Sequence, residues 1–144
     1  MEIYYKRYNQ CFNLRVAAVI KKDDKIIFKK HLDNYYTLPG GRVRFGETTE
    51  AAIKRIIYED FGLNIKINRL LSINENFFSH GDDDYHEVLF IYHCELTEDP
   101  ASEGLEAALH SVPVEDLLRF NIKPRFLIEE LKRLPLTISH TVNK

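Results

Sequence analysis

The sequence predicts an α+β domain in which a mixed β-sheet is flanked by helices on both faces. Strand-like and helix-like segments are interleaved, without the strict strand–helix–strand alternation of an all-parallel sheet. The length of 144 residues suits one domain with its own core, so positions 1–144 are read as a single unit. One long capped helix stands out in the middle of the chain.

The elements follow in order. Arg15–Ile20 (RVAAVI) and Lys25–Lys30 (KIIFKK) are apolar runs separated by the polar KKDD, the pattern of a hairpin. Tyr35–Leu38 forms a short strand that stops at Pro39-Gly40-Gly41. Thr48–Phe61 is the clearest helix. Thr48 or Thr49 caps its start, and Glu50 lies in the first turn, where a negative charge is favoured. Gly62 sits where a left-handed residue ends a helix. Asn64–Asn76 and Glu87–Leu96 read as strands joined by the polar stretch Ser79–Asp84, and Thr97–Glu106 as an acidic loop. Val114–Arg119 is a short helix and Pro124–Leu134 a final amphipathic one.

Composition narrows the function. The formal net charge of −2 does not suit a protein that grips a nucleic-acid duplex. No apolar run approaches the ~20 residues that cross a bilayer, and the polar, aromatic start MEIYYKRYNQ is unlike a signal peptide. A cytoplasmic protein is expected. Cys11 and Cys94 have no metal-type spacing and read as small buried hydrophobes in a reducing compartment.

The chemistry concentrates between Gly40 and Leu63. Gly40, Gly41 and Gly46 admit backbone geometries that other residues resist. On the helix that follows, Ile53, Ile57 and Phe61 share the core face. Glu59 and Asp60 follow Ile56 at i+3 and i+4 and flank that face, while Glu47 stands just before the helix. Arg55 is within reach of Glu59 at i+4. Two adjacent acids on a helix otherwise mark a solvated face. Beside a glycine-rich loop they suit a hard cation such as Mg²⁺, which prefers oxygen ligands and keeps several waters.

The spacing is Gly41, five residues, Glu47, seven residues, Arg55, three residues, Glu59-Asp60, one residue, Gly62-Leu63. It resembles the Nudix box, whose pattern is G, five residues, E, seven residues, REU, one residue, EE, one residue, GU, with U aliphatic. The flanking RVAAVI, LPGGRV, YHEVLFIYHCEL and VPVEDL segments look like the same family, over about residues 12–134. The resemblance implies an α/β/α sandwich and hydrolysis of a nucleoside diphosphate linked to another moiety, with Mg²⁺ or Mn²⁺. By position, the Gly41 carbonyl and the carboxylates of Glu59 and Asp60 would hold metal. Glu47 and Arg55 would brace the loop against the helix. A small-molecule nucleoside diphosphate derivative is the expected partner; a second copy of the chain is also admitted.

Two positions depart from the box. Ile56 stands where the family has a glutamate that binds metal or acts as general base, and Asp60 replaces a glutamate. Either another acid substitutes, with Glu87 ahead of Glu75, or the chain is a catalytically weakened nucleotide-binding or regulatory module. Arg42 and Arg44 are candidates for phosphate oxygens, with Glu75 near the substrate. Tyr35, Tyr36, Phe77, Phe78 and Tyr85 either stack on a base or fill the core. His80, His86 and His110 form no convincing ligand set.

Overall fold

The computed structural model describes residues 1–98 and 108–144. Its centre is the long strand β2 (Gln10–Lys22), preceded by β1 (Tyr4–Arg7) and followed by β3 (Lys25–Lys30), β4 (Tyr36–Thr37) and β5 (Gly40–Arg42). Helix α1 (Thr49–Phe61) leads into the hairpin of β6 (Ile65–His80) and β7 (Asp83–Leu96). Then come β8 (Leu109–Pro113), a 3-10 helix (Val114–Arg119), α2 (Leu127–Lys132) and β9 (Ser139–Asn143). The acidic stretch read as a loop, Thr97–Glu106, lies outside the described residues from position 99 onward.

The sheet runs β4-β3-β2-β7-β6-β9. The pairs β2–β7 and β6–β9 are parallel, and β1, β5 and β3 share one edge of β2 in antiparallel register. The sheet is therefore mixed, with helices on both faces. The run RVAAVI shows why: a strand covered on both sides loses polar alternation and becomes continuously apolar. Val16, Ala18 and Ile20 pack with Ile53, Ile57 and Phe61 of α1. Ala17 and Val19 face the other way, with Phe28, Leu117, Leu127 and Leu131. Cys11 and Cys94 are free and buried, and desolvation pushes the Cys94 thiol up to about 12.

Several boundaries differ from those expected. Ser79–Asp84 is not a linker: Ser79 pairs with Asp84 and His80 with Asp83, so only Gly81 and Asp82 turn. Gly81 adopts φ 61°, which a tight hairpin turn needs and which costs glycine nothing. The Ser79 hydroxyl donates to Asp84 Oδ1 at 2.7 Å. Polar side chains at a hairpin tip thus hide a ladder held by backbone bonds. The expected helix Pro124–Leu134 shrinks to Leu127–Lys132. Its approach is a tight turn, with Leu127 N bonded to the Pro124 carbonyl and Ile128 N to that of Arg125. Strands β1 and β9 extend the sheet beyond the core expected at about 12–134. Neither β1, β8 nor β9 announces itself by alternation, because each lies at an edge with little buried surface.

No helix among the described residues is long and apolar enough to cross a membrane. The α1 face should dominate stability. Ile57 is fully buried, so Ile57→Ala is expected to cost about 2–5 kcal/mol, read as a lower midpoint in urea denaturation.

Candidate active site

Helix α1 starts and stops where its caps dictate. The Thr48 hydroxyl accepts from Ala51 N at 3.0 Å, and Gly62 (φ 67°) donates its N–H to the Tyr58 carbonyl. These ends set which residues face the loop before the helix. Arg55 Nε donates to Glu47 Oε2 at 3.0 Å, and its Nη2 donates to Glu47 Oε1 at 2.6 Å and to the Arg42 carbonyl at 3.2 Å. Arg44 N also donates to Glu47 Oε1, at 2.7 Å. A planar guanidinium and a carboxylate thus clamp loop to helix in a two-pronged contact. The Arg55 hydrogen bonds hold the Glu47 carboxyl below its usual range, and Glu47 pushes the arginine up in turn.

The glycines of the loop serve different ends. Gly46 adopts φ 86°. Gly40 and Gly41 are there for close approach, not for a left-handed backbone. A Cβ on Gly40 would lie 2.4 Å from the Val16 carbonyl oxygen, and one on Gly41 would lie 3.2 Å from Ile56 Cδ1. Ile56 is buried directly beneath Gly41. The position that departs from the box therefore packs as core.

Glu59 is exposed and paired, with Arg55 Nη1 at 3.3 Å and Arg44 Nη1 at 3.6 Å. Asp60 is exposed and makes no hydrogen bond or ion pair among the described residues. Pro39 and Leu14 accept ladder bonds from Ala18 and Val43, so Gly41, opposite Val16, falls at a hydrogen-bonded position between them. A carbonyl keeps a second lone pair for a cation. Among the described residues no three His, Cys, Asp or Glu side chains converge as a metal cage. A hard divalent cation that leans on one or two carboxylates, on phosphates and on its own waters does not need such a cage.

A cleft of about 860 Å³ opens on the sheet face opposite α1. That volume suits a nucleotide-sized ligand. Its floor is written by strand register. Asn13 of β2 lies beside Glu87 of β7, Glu87 beside Asn76 of β6, and Asn76 beside Asn143 of β9. Asn143 Nδ2 donates to Asn76 Oδ1 at 2.9 Å, which turns the Asn76 amide so that its Nδ2 donates to Glu87 Oε2 at 2.8 Å. Glu87 is nearly buried, with Oε1 3.5 Å from Arg15 Nε. Arg42 lies opposite Arg15 in the register, its guanidinium over the Tyr4 ring and its Nη1 3.3 Å from Glu2. Among the described residues two buried polar atoms find no partner, Asn13 Oδ1 and Arg42 Nε, and both residues line the cleft.

The residues singled out from sequence thus divide. Glu47, Arg55, Glu59 and Arg44 form one cluster at the loop and helix. Glu87 and Arg42 face the cleft. Glu75 does not line it, and its carboxylate contacts His140 Nε2 at 2.7 Å. Among the aromatics, Tyr35, Phe77, Phe78 and Tyr85 line the cleft, while Tyr36 packs edge-on against Phe120. Asn13, Arg15, Asn76 and Asn143 were not singled out. A signal existed: Asn13-x-Arg15, Asn74-x-Asn76 and Tyr85-x-Glu87 place polar groups at alternate positions of otherwise apolar strands.

The Glu47 pKa sets a pH test. A carboxyl lowered in the folded state stabilises it above the ordinary glutamate value near 4.3, and loses that contribution as pH falls through the lowered one. The stability gap between wild type and Glu47→Gln should be widest at neutral pH and close on acidification below about pH 4.3. A gap unchanged by pH in urea titrations would overturn the clamp's ionic character.

Comparison with known proteins agrees with the fold and the loop–helix. A family model described as NUDIX domain matches residues 12–131. An ADP-ribose pyrophosphatase of Methanocaldococcus jannaschii is 39% identical over 74 residues, covering 47% of this chain and 44% of the relative. The chain thus spans less than half the length of that curated relative. A NUDIX hydrolase from Nitrosomonas europaea superposes with a TM-score of 0.68 at 16% identity, covering 92% of this chain and 79% of the other. An ADP-ribose pyrophosphatase from Streptococcus suis gives 0.60 at 19% identity, covering 90% and 98%. Members of this family generally use divalent metals. With the box loop clamped to α1 and the family match extending over most of the sheet, the chain belongs to the NUDIX domain family.

Proposed function

We propose that the chain is a pyrophosphohydrolase that uses Mg²⁺, or Mn²⁺, to hydrolyse the phosphoanhydride bond of a nucleoside diphosphate linked to another moiety. The observation that carries this reading is the charge of the cleft. Among the described residues lining it are five cations, Arg15, Lys29, Arg42, Lys123 and Lys144, and a single carboxylate, Glu87. A diphosphate suits the first and an attacking water suits the second. The name of the Methanocaldococcus jannaschii relative supports the same substrate chemistry.

Glu59 and Asp60, with the Gly41 carbonyl, would hold the metal. Such an ion would supply neutralisation of phosphate charge and a water of lowered pKa. The chain's own groups do the rest. Arg15 and Arg42 hold phosphate oxygens from the cleft side. Glu87, oriented by Asn76 and Arg15, accepts the proton of the attacking water. The Glu47–Arg55 clamp keeps Arg42 and Arg44 in register with Glu59.

A metal-dependent screen against a panel of diphosphate compounds tests this. Turnover should vanish in EDTA and in Glu59→Gln, and Glu87→Gln should lower kcat by about 10²–10⁴-fold. Turnover that survives EDTA and Glu59→Gln would sink the reading. The burial of Ile56 against Gly41 favours one alternative, a nucleotide-binding or regulatory module with weakened catalysis. Then Ile56→Glu should raise activity from a near-zero baseline. Good wild-type turnover with no gain from Ile56→Glu would instead show that another acid serves.

A further inference from the structure

The cleft floor carries three consecutive rows of side chains on the same sheet face. Side chains two apart on a strand are separated by about 6.6 Å, so the rows follow at that spacing. The first is aromatic: Phe78 of β6 pairs with Tyr85 of β7, their rings parallel within 2° and 5.0 Å apart. The second is the row of Asn13 and Glu87. The third is the pair Arg15 and Arg42. In a 5′-nucleotide, a flat base, a hydroxyl-bearing sugar and a phosphate follow one another in this order.

Each row also has the matching chemistry. Phe78 is substantially exposed, which leaves a ring face for a base. Asn13 Oδ1 is a buried acceptor without a donor among the described residues, and a sugar hydroxyl is a donor. Arg42 Nε is a buried donor without an acceptor among the described residues, and a phosphate oxygen is an acceptor. Glu87 leans toward Arg15 and so stays beside the phosphate rather than the sugar. The other aromatic end of the cleft is engaged. The Tyr35 ring stacks on His31 at 4.2 Å and carries the Lys123 ammonium 4.5 Å from its centroid.

We propose that the cleft binds a ribonucleoside diphosphate in one direction, with the base on the Phe78–Tyr85 pair, a sugar hydroxyl on Asn13 and the adjacent phosphate on Arg15 and Arg42. This placement rests on the cleft being the substrate site. It is tested by calorimetry in Mg²⁺ with probes that cannot be hydrolysed at the bridge: α,β-methylene-ADP, its 2′,3′-dideoxy form, and methylenediphosphonate.

Wild type should bind α,β-methylene-ADP at least about ten-fold more tightly than methylenediphosphonate, from base stacking. Phe78→Ala, a change at an exposed site, should remove most of that advantage and leave methylenediphosphonate unaffected. Arg42→Gln should weaken both. The dideoxy probe should bind wild type several-fold less tightly, a loss that Asn13→Ala abolishes. Equal affinity of wild type for nucleotide and diphosphonate would overturn the placement. So would an unchanged nucleotide affinity in Phe78→Ala, or a base effect that moves with Tyr35→Ala. Hydrolysis without any Phe78 effect sinks only this placement. The binding pattern without hydrolysis sinks only the hydrolase reading.

Discussion

Strand β2 runs through the sheet with both faces covered and both edges paired, and most of the molecule is placed by its contacts. One edge receives β1, β5 and β3 in succession, and the other receives β7 along most of its length. The alternation of its side chains separates two cores. Even positions from Val16 to Ile20 serve α1, and odd positions from Ala17 serve α2 and the 3-10 helix. Toward the start of β2 the odd positions become Asn13 and Arg15, and there the second core gives way to the cleft. A one-residue slip of register would exchange the two faces, burying the arginine under α1 and opening the cleft to alanine and valine.

The loop–helix cluster and the cleft residues form two candidate groups, and β5 joins them. It is three residues long and lies on β2 beside Arg15. Gly41 faces the helix and rests on Ile56; Arg42 faces the cleft. The missing Cβ atoms at Gly40 and Gly41 let this strand lie close against both neighbours. The Glu47–Arg55 clamp then holds the chain as it leaves β5. Arg55 also bonds the Arg42 carbonyl and so ties the helix to the strand that carries the cleft arginine.

Ile56 changes what that junction can do. A carboxylate there would point at the Gly41 backbone from within the core, whereas isoleucine fills the space and adds apolar contact. At its C-terminal end the helix is left with Glu59 in an ion-pair network and Asp60 without a partner among the described residues. Such a pair holds a cation weakly by itself and better when phosphates complete the shell.

Much of this was legible in the chain before folding. The capped helix from Thr48 to Gly62, the apolar run through β2 and the spacing from Gly41 to Leu63 are local features, encoded by residues a few positions apart. They determined the fold class and the loop–helix that carries the family resemblance. The cleft was not legible in the same way. Asn13, Glu87, Asn76 and Asn143 come from four strands, and only the sheet register makes them neighbours. Alternation marks Asn74-x-Asn76 and Tyr85-x-Glu87, but only strand pairing shows that Glu87 faces the cleft while Glu75 meets His140. Nor does local sequence tell that Gly40 is demanded by close packing rather than by a turn. Helix caps and apolar periodicity act over one or two turns of chain, whereas a binding surface on a sheet is a product of long-range pairing, and only the tertiary structure decides it.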